Sequence, residues 1–157
     1  MRGRTRTNQY GFTMIELIVV VAVLGILGVM LVPSYERLTT KARLTTDITL
    51  VKTLSQTAAT YRAEQGGKHP TEATTNGLEI LCQKFKATGY IDDEVSFQTS
   101  HVKLSISEAQ STGKQHYQLD VSEAVIENEA IKEALNQMDK SIDQWIIGYT
   151  PQHSTKK

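Results

Sequence analysis

The pattern of apolar residues divides the chain into a uniformly apolar N-terminal segment and a longer part in which apolar residues recur at regular spacing. Sixteen consecutive residues, Leu17 to Val32, carry neither a charge nor a strongly polar side chain. Extended back to Phe12, the segment has 21 residues, interrupted by one threonine and one carboxylate, Glu16. As a helix it is about 30 Å long, the hydrocarbon thickness of a bilayer. The pattern predicts a transmembrane helix over residues 12–33.

The helical pattern continues beyond this segment, because no glycine or proline occurs between Pro33 and Gly66. A narrow apolar stripe follows steps of three and four residues, as on one face of a helix. It consists of Leu44, Ile48, Val51, Leu54, Ala58 and Tyr61. We therefore predict one helix from Phe12 to Gln65, about 80 Å long, with an amphipathic continuation over residues 34–65. Proline lacks a backbone donor and crowds the preceding turn, so a helix kink is expected at Pro33.

Residues 66–157 have the mixed pattern of a small C-terminal globular domain. Asn76 can cap a short helix whose apolar face holds Leu78, Leu81, Cys82 and Phe85. Apolar and polar residues then alternate in two runs separated by Ser111-Thr112-Gly113, which predicts an antiparallel hairpin. The apolar members are Val102, Leu104 and Ile106 in the first run, and Tyr117, Leu119 and Val121 in the second.

After the hairpin, Asp120 or Ser122 can cap a helical segment, and a last strand is expected at 145–147. The apolar face of that helical segment consists of Ile131, Ala134, Leu135 and Met138. The fold class predicted is α+β: a long N-terminal α-helix, half transmembrane and half amphipathic, packed on a small antiparallel β-sheet domain with extra short helices.

Composition excludes several classes of protein. The 157 residues suffice for one domain, and the formal net charge of zero conceals an asymmetry. Residues 1–11 carry three arginines and no acid, whereas residues 66–157 carry nine basic and thirteen acidic side chains. An acidic body is unsuited to phosphate binding, so direct nucleic-acid binding is not expected. A single cysteine, Cys82, excludes an intrachain disulfide, and its place on an apolar face favours core packing.

Two ordinary explanations of the apolar segment are a removed signal peptide and a plain membrane anchor. A signal peptide has a shorter apolar region followed by a small-residue cleavage site, and neither feature is present. A plain anchor accounts for the length but not for Glu16, because an ionisable residue in a membrane span is costly and calls for a partner. If the chain were cut after Gly11, the new amine of Phe12 would lie one helical turn from Glu16.

The segment RTRTNQYGFTMIELIVVVAVLGILGVMLVPSY resembles the N-terminus of type IV prepilins and the related pseudopilins. These proteins have a short basic leader ending in glycine, then Phe-Thr-x-Ile-Glu, an apolar run and a proline. The resemblance implies that residues 1–11 are a leader and that a prepilin peptidase cuts between Gly11 and Phe12 and methylates the new N-terminus. It also implies an assembly role for Glu16 and a pilin-like fold for the chain.

By this resemblance the protein is a structural subunit of a type IV pilus or related filament. Its implied partners are copies of itself in a homo-oligomeric filament, other pilins, the prepilin peptidase, a pilus or secretion assembly platform, and the membrane. The resemblance implies a single-pass location in the cytoplasmic (inner) membrane before assembly and a cell-surface filament afterwards. The arginines and lysines flanking the apolar segment balance, so the charge pattern alone leaves its orientation open.

Two alternatives stay open at this point. The tract HPTEATTNGLEIL resembles one that follows the long helix in major pseudopilins of type II secretion systems. That similarity favours a pseudopilin of a secretion or competence (DNA-uptake) system. The second alternative is a membrane-anchored binding module that does not polymerise.

Catalytic and metal-binding patterns are not expected. The sequence has no G-x-S-x-G elbow and no glycine-rich phosphate loop, so we predict neither catalytic nor cofactor-binding residues. The histidines have no metal-ligand spacing, which argues against zinc: His69, His101, His116 and His153. The acids Asp92-Asp93-Glu94 are more typical of a solvated turn than of a calcium loop. The acids and lysines of residues 123–140 are expected on an exposed helix face.

Overall fold

The computed structural model describes residues 11–70, 77–92, 95–108 and 114–152, apart from the side chains of Met30 and Pro33. The chain forms two compact units. The N-terminal unit ends at Glu36, and the C-terminal unit begins at Arg37. Asn76, the turn 111–113, the acids at 93 and 94, and His153 lie outside the described residues, so the predictions made for them stay predictions.

Helix α1 spans Met14–Glu64, which confirms the long helix predicted from Phe12 to Gln65. It ends where two glycines supply the left-handed conformation that other residues avoid: Gly66 has φ +65° and Gly67 has φ +90°. The amide of Gly67 donates to the carbonyl of Arg62 at 2.8 Å, which closes the last turn. Glycine therefore fixes the end of the helix at the predicted place.

The predicted apolar stripe forms the helical side of the core. All six stripe residues are buried: Leu44, Ile48, Val51, Leu54, Ala58 and Tyr61. They share one cluster with the inward faces of the strands and with apolar residues of the shorter helices. The spacing of three and four residues is thus explained by burial of one face of α1 within the C-terminal unit.

The sheet has three strands in the order β1-β2-β3: Lys103–Glu108, Gln115–Asp120 and Ile146–Ile147. Strands β1 and β2 pair antiparallel, with Leu104 opposite Leu119, which confirms the predicted hairpin. Strand β3 pairs with β2 in parallel, so the sheet is mixed rather than wholly antiparallel. The parallel pairing arises because the chain crosses back through two helices and a 3₁₀ turn, Lys140–Trp145, before β3 begins.

Helix α2 spans Gly77–Ala87 and buries the predicted face, with Leu81, Cys82 and Phe85 inside. The ring of Phe85 meets Tyr61 of α1 at 6.3 Å and Tyr90 at 6.1 Å between centroids. Tyr90 also contacts Tyr61 edge-on, and its hydroxyl donates to the carboxylate of Glu64. This bond raises the pKa of Tyr90, and the aromatic cluster joins α2 to the end of α1.

The helical segment predicted after the hairpin is two helices, α3 over Ser122–Glu127 and α4 over Glu129–Asn136. Asn128 separates them in an extended conformation, and its side chain accepts the amide of Ala130 at 2.9 Å, as an N-cap does. Asp120 Oδ1 accepts both the amide and the hydroxyl of Ser122 at the start of α3. The periodicity of Ile131, Ala134 and Leu135 therefore belongs to α4 alone, because Asn128 starts a new helix.

Candidate processing and assembly segment

The predicted cleavage position lies just before α1. Gly11 and Phe12 are both exposed, and 88% of the Phe12 surface is accessible. A Cβ atom placed on Gly11 would meet no other atom within 4 Å. The residues that the structure describes therefore place no packing constraint on Gly11.

Glu16 is engaged in a reciprocal cap at the start of α1. Its Oε2 accepts the amide of Thr13 at 2.7 Å and the Thr13 hydroxyl at 2.8 Å. The Thr13 hydroxyl in turn accepts the amide of Glu16 at 3.3 Å. This is the capping box that Thr-x-x-Glu forms at helix N-termini. The sequence pattern Thr13-Met-Ile-Glu16 is a signal for this box, which we did not predict.

The helical turns after Glu16 expose apolar side chains in all directions. Every described side chain between Ile15 and Glu36 is exposed in the single chain, with large apolar ones such as Leu24, Ile26 and Leu31 each more than 60% accessible. A helix that is apolar all round is stable only inside lipid or other protein. In an isolated chain, this apolar surface therefore lacks the lipid or protein contacts that would stabilise it.

Among the described residues, no single helix satisfies the length and hydropathy requirements of a membrane span. The segments Met14–Val29 and Ser34–Glu64, bent where they join, meet those requirements together by length and composition. Because the side chain of Pro33 is outside the described part, the kink assigned to that residue stays a prediction.

A shallow depression of about 320 Å³ flanks the carboxylate of Glu16. Its other walls are apolar: Phe12, Ile15, Val19 and Val20. Both bonds that the carboxylate accepts from Thr13 end on the same oxygen, Oε2. The Glu16 carboxylate thus lies within an apolar surface at the beginning of the helix.

The C-terminal unit contains a buried carboxylate, Asp47, that was not predicted from the sequence. Asp47 is fully buried on α1, and its two oxygens accept the amides of Gln98 at 2.7 Å and Thr99 at 2.9 Å. Asp47 lies three residues after Leu44 and one before Ile48, within the apolar stripe. An acid at a core position of an amphipathic helix is the signal that indicates such a role.

The structure brings together two surface ion pairs from residues that are distant in sequence. His101 Nε2 lies 2.9 Å from Glu127 Oε2, and Lys103 Nζ lies 2.8 Å from Glu123 Oε2. Lys103 lowers the pKa of Glu123 through a hydrogen bond and its charge, and Glu123 correspondingly raises that of Lys103. The acids of α3 are exposed, as predicted, but they also contact the imidazole of His101 and the ammonium group of Lys103.

A groove of about 620 Å³ lies beside the end of α1. Its walls include Arg62, His69, Lys114 and Tyr117. The hydroxyl of Tyr117 donates to Gln115 at 2.7 Å, and burial raises the pKa of Tyr117 to about 12. Two cationic residues, Arg62 and Lys114, therefore line the groove together with the buried residues at the start of β2.

Comparison with known proteins identifies a motif at the N-terminus of the chain. A family model described as the prokaryotic N-terminal methylation motif matches residues 6–32. These residues include Gly11, Phe12 and Glu16, whose geometry is described above. The predicted resemblance to prepilins at this segment is therefore confirmed.

Two curated relatives are similar over a longer stretch. The chain is 33% identical to the fimbrial protein of Moraxella nonliquefaciens over 84 residues, which cover 51% of this chain and 53% of that protein. It is 35% identical to the type IV major pilin protein PilE1 of Neisseria gonorrhoeae over 72 residues, 46% of this chain and 43% of that protein. The chain spans about half the length of the curated relatives it matches. No solved structure matches it. The long helix, small sheet and short helices agree with the pilin-like α+β class predicted from sequence.

Proposed function

We propose that this protein is a membrane-anchored structural subunit that a prepilin peptidase processes and that then polymerises into a type IV pilus or related filament. One observation carries the proposal: the methylation motif coincides with a helical segment whose apolar surface is exposed all round, whereas the apolar stripe of the C-terminal unit is buried. A span over residues 12–33 would rest in the cytoplasmic membrane before assembly. In the filament, helices of other copies would replace lipid around it.

Processing is proposed at the bond between Gly11 and Phe12, with methylation of the new amine. The open surroundings of Gly11 permit a clean test, because the substitution Gly11→Val meets no packing obstacle in the described fold. We expect G11V to be made and inserted but to keep its full mass in cells that contain the peptidase. Normal cleavage of G11V would contradict the assignment of this bond.

Glu16 is proposed to pair with the methylated α-amine of Phe12 on a neighbouring copy. A carboxylate within an apolar surface is tolerable only when it is paired, so subunits in the wrong register are disfavoured. In the single chain, Thr13 provides partial compensation through two hydrogen bonds to Oε2. The depression beside Glu16 gives an approaching N-terminus an apolar surface to pack on.

The capping box offers a second explanation of Glu16, and one pair of variants separates the two. Glu16→Gln keeps an oxygen that can accept the Thr13 amide but removes the charge. Thr13→Val removes the capping hydroxyl but leaves the carboxylate. We expect E16Q to be processed and to remain unassembled, whereas T13V forms filaments despite a weaker helix start.

The readout is the fraction of processed protein recovered in sheared surface filaments, with the membrane fraction as control for expression and insertion. Normal filament yield from E16Q together with loss of filaments in T13V would assign Glu16 to capping and contradict the charge-pairing proposal. Absence of the unmutated chain and of both variants from the sheared filaments would favour the alternative, a membrane-anchored binding module that does not polymerise.

A long surface pilus is proposed ahead of a pseudopilus of a secretion or DNA-uptake system. The names of the relatives, a fimbrial protein and a major pilin, favour the pilus. Both assignments describe a structural rather than a catalytic subunit, with an assembly platform as a further partner. Processed protein that accumulates only in membranes, with no sheared filament in the native host, would favour the pseudopilus.

A further inference from the structure

A histidine and two glutamates converge on the surface of the C-terminal unit. Glu123 and Glu127 are one turn apart on α3, so both side chains lie on the same face of that helix. His101 belongs to the turn before β1. One ligand atom from each of the three residues lies within 4.8 Å of the others.

The strand register holds the three residues together. Lys103, the first residue of β1, pairs with Asp120, the last residue of β2, and α3 begins two residues later. The turn that carries His101 is therefore fixed beside α3 by the hairpin. His101 Nε2 already lies 2.9 Å from Glu127 Oε2, so an approach of these two ligands needs no backbone change.

The donor set indicates which ion would bind. Calcium takes oxygen ligands only, whereas zinc combines imidazole nitrogen with carboxylate oxygen and is commonly four-coordinate. With bonds of about 2.0–2.2 Å, the ligand atoms of a tetrahedral zinc ion lie about 3.4 Å apart. The three side chains are about half exposed, so small rotations can close the present spacing.

We propose that His101, Glu123 and Glu127 bind one Zn²⁺ ion per chain, with water at the remaining position. The ion would be bound by His101 Nε2 and by the Glu127 carboxylate, whose Oε2 lies 2.9 Å from that nitrogen. The helical spacing of the glutamates provides two ligands on one face, and the histidine provides the nitrogen that distinguishes the site from a calcium site. The site is separate from the segment proposed for processing and assembly.

Lys103 competes with a metal ion for the carboxylate of Glu123. Its ammonium group contacts Glu123 Oε2 at 2.8 Å. This positive charge opposes the approach of a second cation to the same carboxylate. Removal of the ammonium group should therefore strengthen zinc binding, an effect that a purely structural role of the ion pair does not predict.

The test is calorimetric titration of Zn²⁺ into the full chain in detergent micelles. We expect one ion per chain, with affinity reduced by roughly tenfold or more in each of H101N, E123Q and E127Q, since loss of a ligand costs at least as much as loss of an outer-shell contact. Asparagine is chosen at position 101 because His101 has φ +60°, a conformation that asparagine tolerates. The matched control is H116N, at an exposed histidine of β2 outside the cluster.

The variant Lys103→Met completes the design, with an expected several-fold gain in Zn²⁺ affinity. Circular dichroism of each variant checks that the fold is retained. The proposal is overturned if Zn²⁺ does not bind, if H116N loses affinity as much as H101N, or if K103M weakens binding. Binding of Ca²⁺ in preference to Zn²⁺ would equally contradict it.

Discussion

Replacement of Asp47 by alanine is expected to destabilise the C-terminal unit more than a substitution on its exposed surface. The Asp47 carboxylate is fully buried and accepts the backbone amides of Gln98 and Thr99 at 2.7 and 2.9 Å. These two bonds join α1 to a loop 51 and 52 residues further along the chain. Without the carboxylate, both amides lose their acceptor, and the amide of Thr99 is left in a buried environment.

The expected loss follows from the two bonds. Each hydrogen bond to a charged group contributes about 1.5–3 kcal/mol, but the amide of Gln98 is only partly buried and can regain water. The better helix propensity of alanine offsets about 0.5 kcal/mol. We therefore expect D47A to lower the free energy of unfolding by about 2–4 kcal/mol. Asp47→Asn keeps one oxygen acceptor and should lose about half as much.

Tryptophan fluorescence during urea unfolding of the full chain in mild detergent measures this loss. The chain has a single tryptophan, Trp145, which lies in the C-terminal unit with the ammonium of Lys52 5.6 Å from its ring centroid. The control is E129A, because Glu129 is exposed and its ion pair with Lys132 is a surface pair worth about 0–1 kcal/mol. Equal urea midpoints for D47A and E129A would refute the stabilising role proposed for the Asp47 carboxylate.

Three further predictions concern the same unit. Gly148→Ala should lower the free energy of unfolding by about 2 kcal/mol or more, because Gly148 has φ +88° and an added Cβ would lie 2.6 Å from the Cβ of Ser122. Gly66→Ala should lower it less in the same urea assay, because Gly66 also has a positive φ but is surrounded by open space. Burial raises the pKa of Tyr117 to about 12. The contribution of its neutral form to stability is therefore complete below about pH 10 and is lost as the pH rises from about 10 toward about 12. Tyrosinate absorbance should show a late ionisation that is missing in Y117F, and an unchanged curve would contradict the assignment. Cys82 is 6% exposed and should react with a thiol reagent only as the unit unfolds, so rapid labelling of the folded chain would contradict its core position.

Regular spacing made much of the fold predictable. The stripe from Leu44 to Tyr61, the end of α1 at Gly66 and the hairpin of β1 and β2 each rest on local periodicity or on the conformational freedom of glycine. The break at Asn128 could also have been found, because asparagine is a strong N-cap residue. One helix was predicted instead of two because the cap was placed at Asp120 or Ser122, although the apolar face from Ile131 to Met138 lies entirely after Asn128.

Other features depend on tertiary contacts that no local pattern contains. The parallel pairing of β3 depends on the path of the chain between β2 and β3, and the partners of Asp47 are 51 and 52 residues away. The cluster of His101 with Glu127 was missed for the same reason, since the hairpin brings the two residues together. The motif around Gly11 and Glu16 was identifiable because its information lies in consecutive residues.

The most direct test of the proposed function is the intact mass and N-terminal sequence of the protein recovered from membranes and from sheared surface material. We expect a chain that begins at Phe12, carries one added methyl group and is present in the sheared filaments. A chain that still begins at Met1, or one cut after Pro33, would contradict processing at Gly11–Phe12 and with it the proposed assembly.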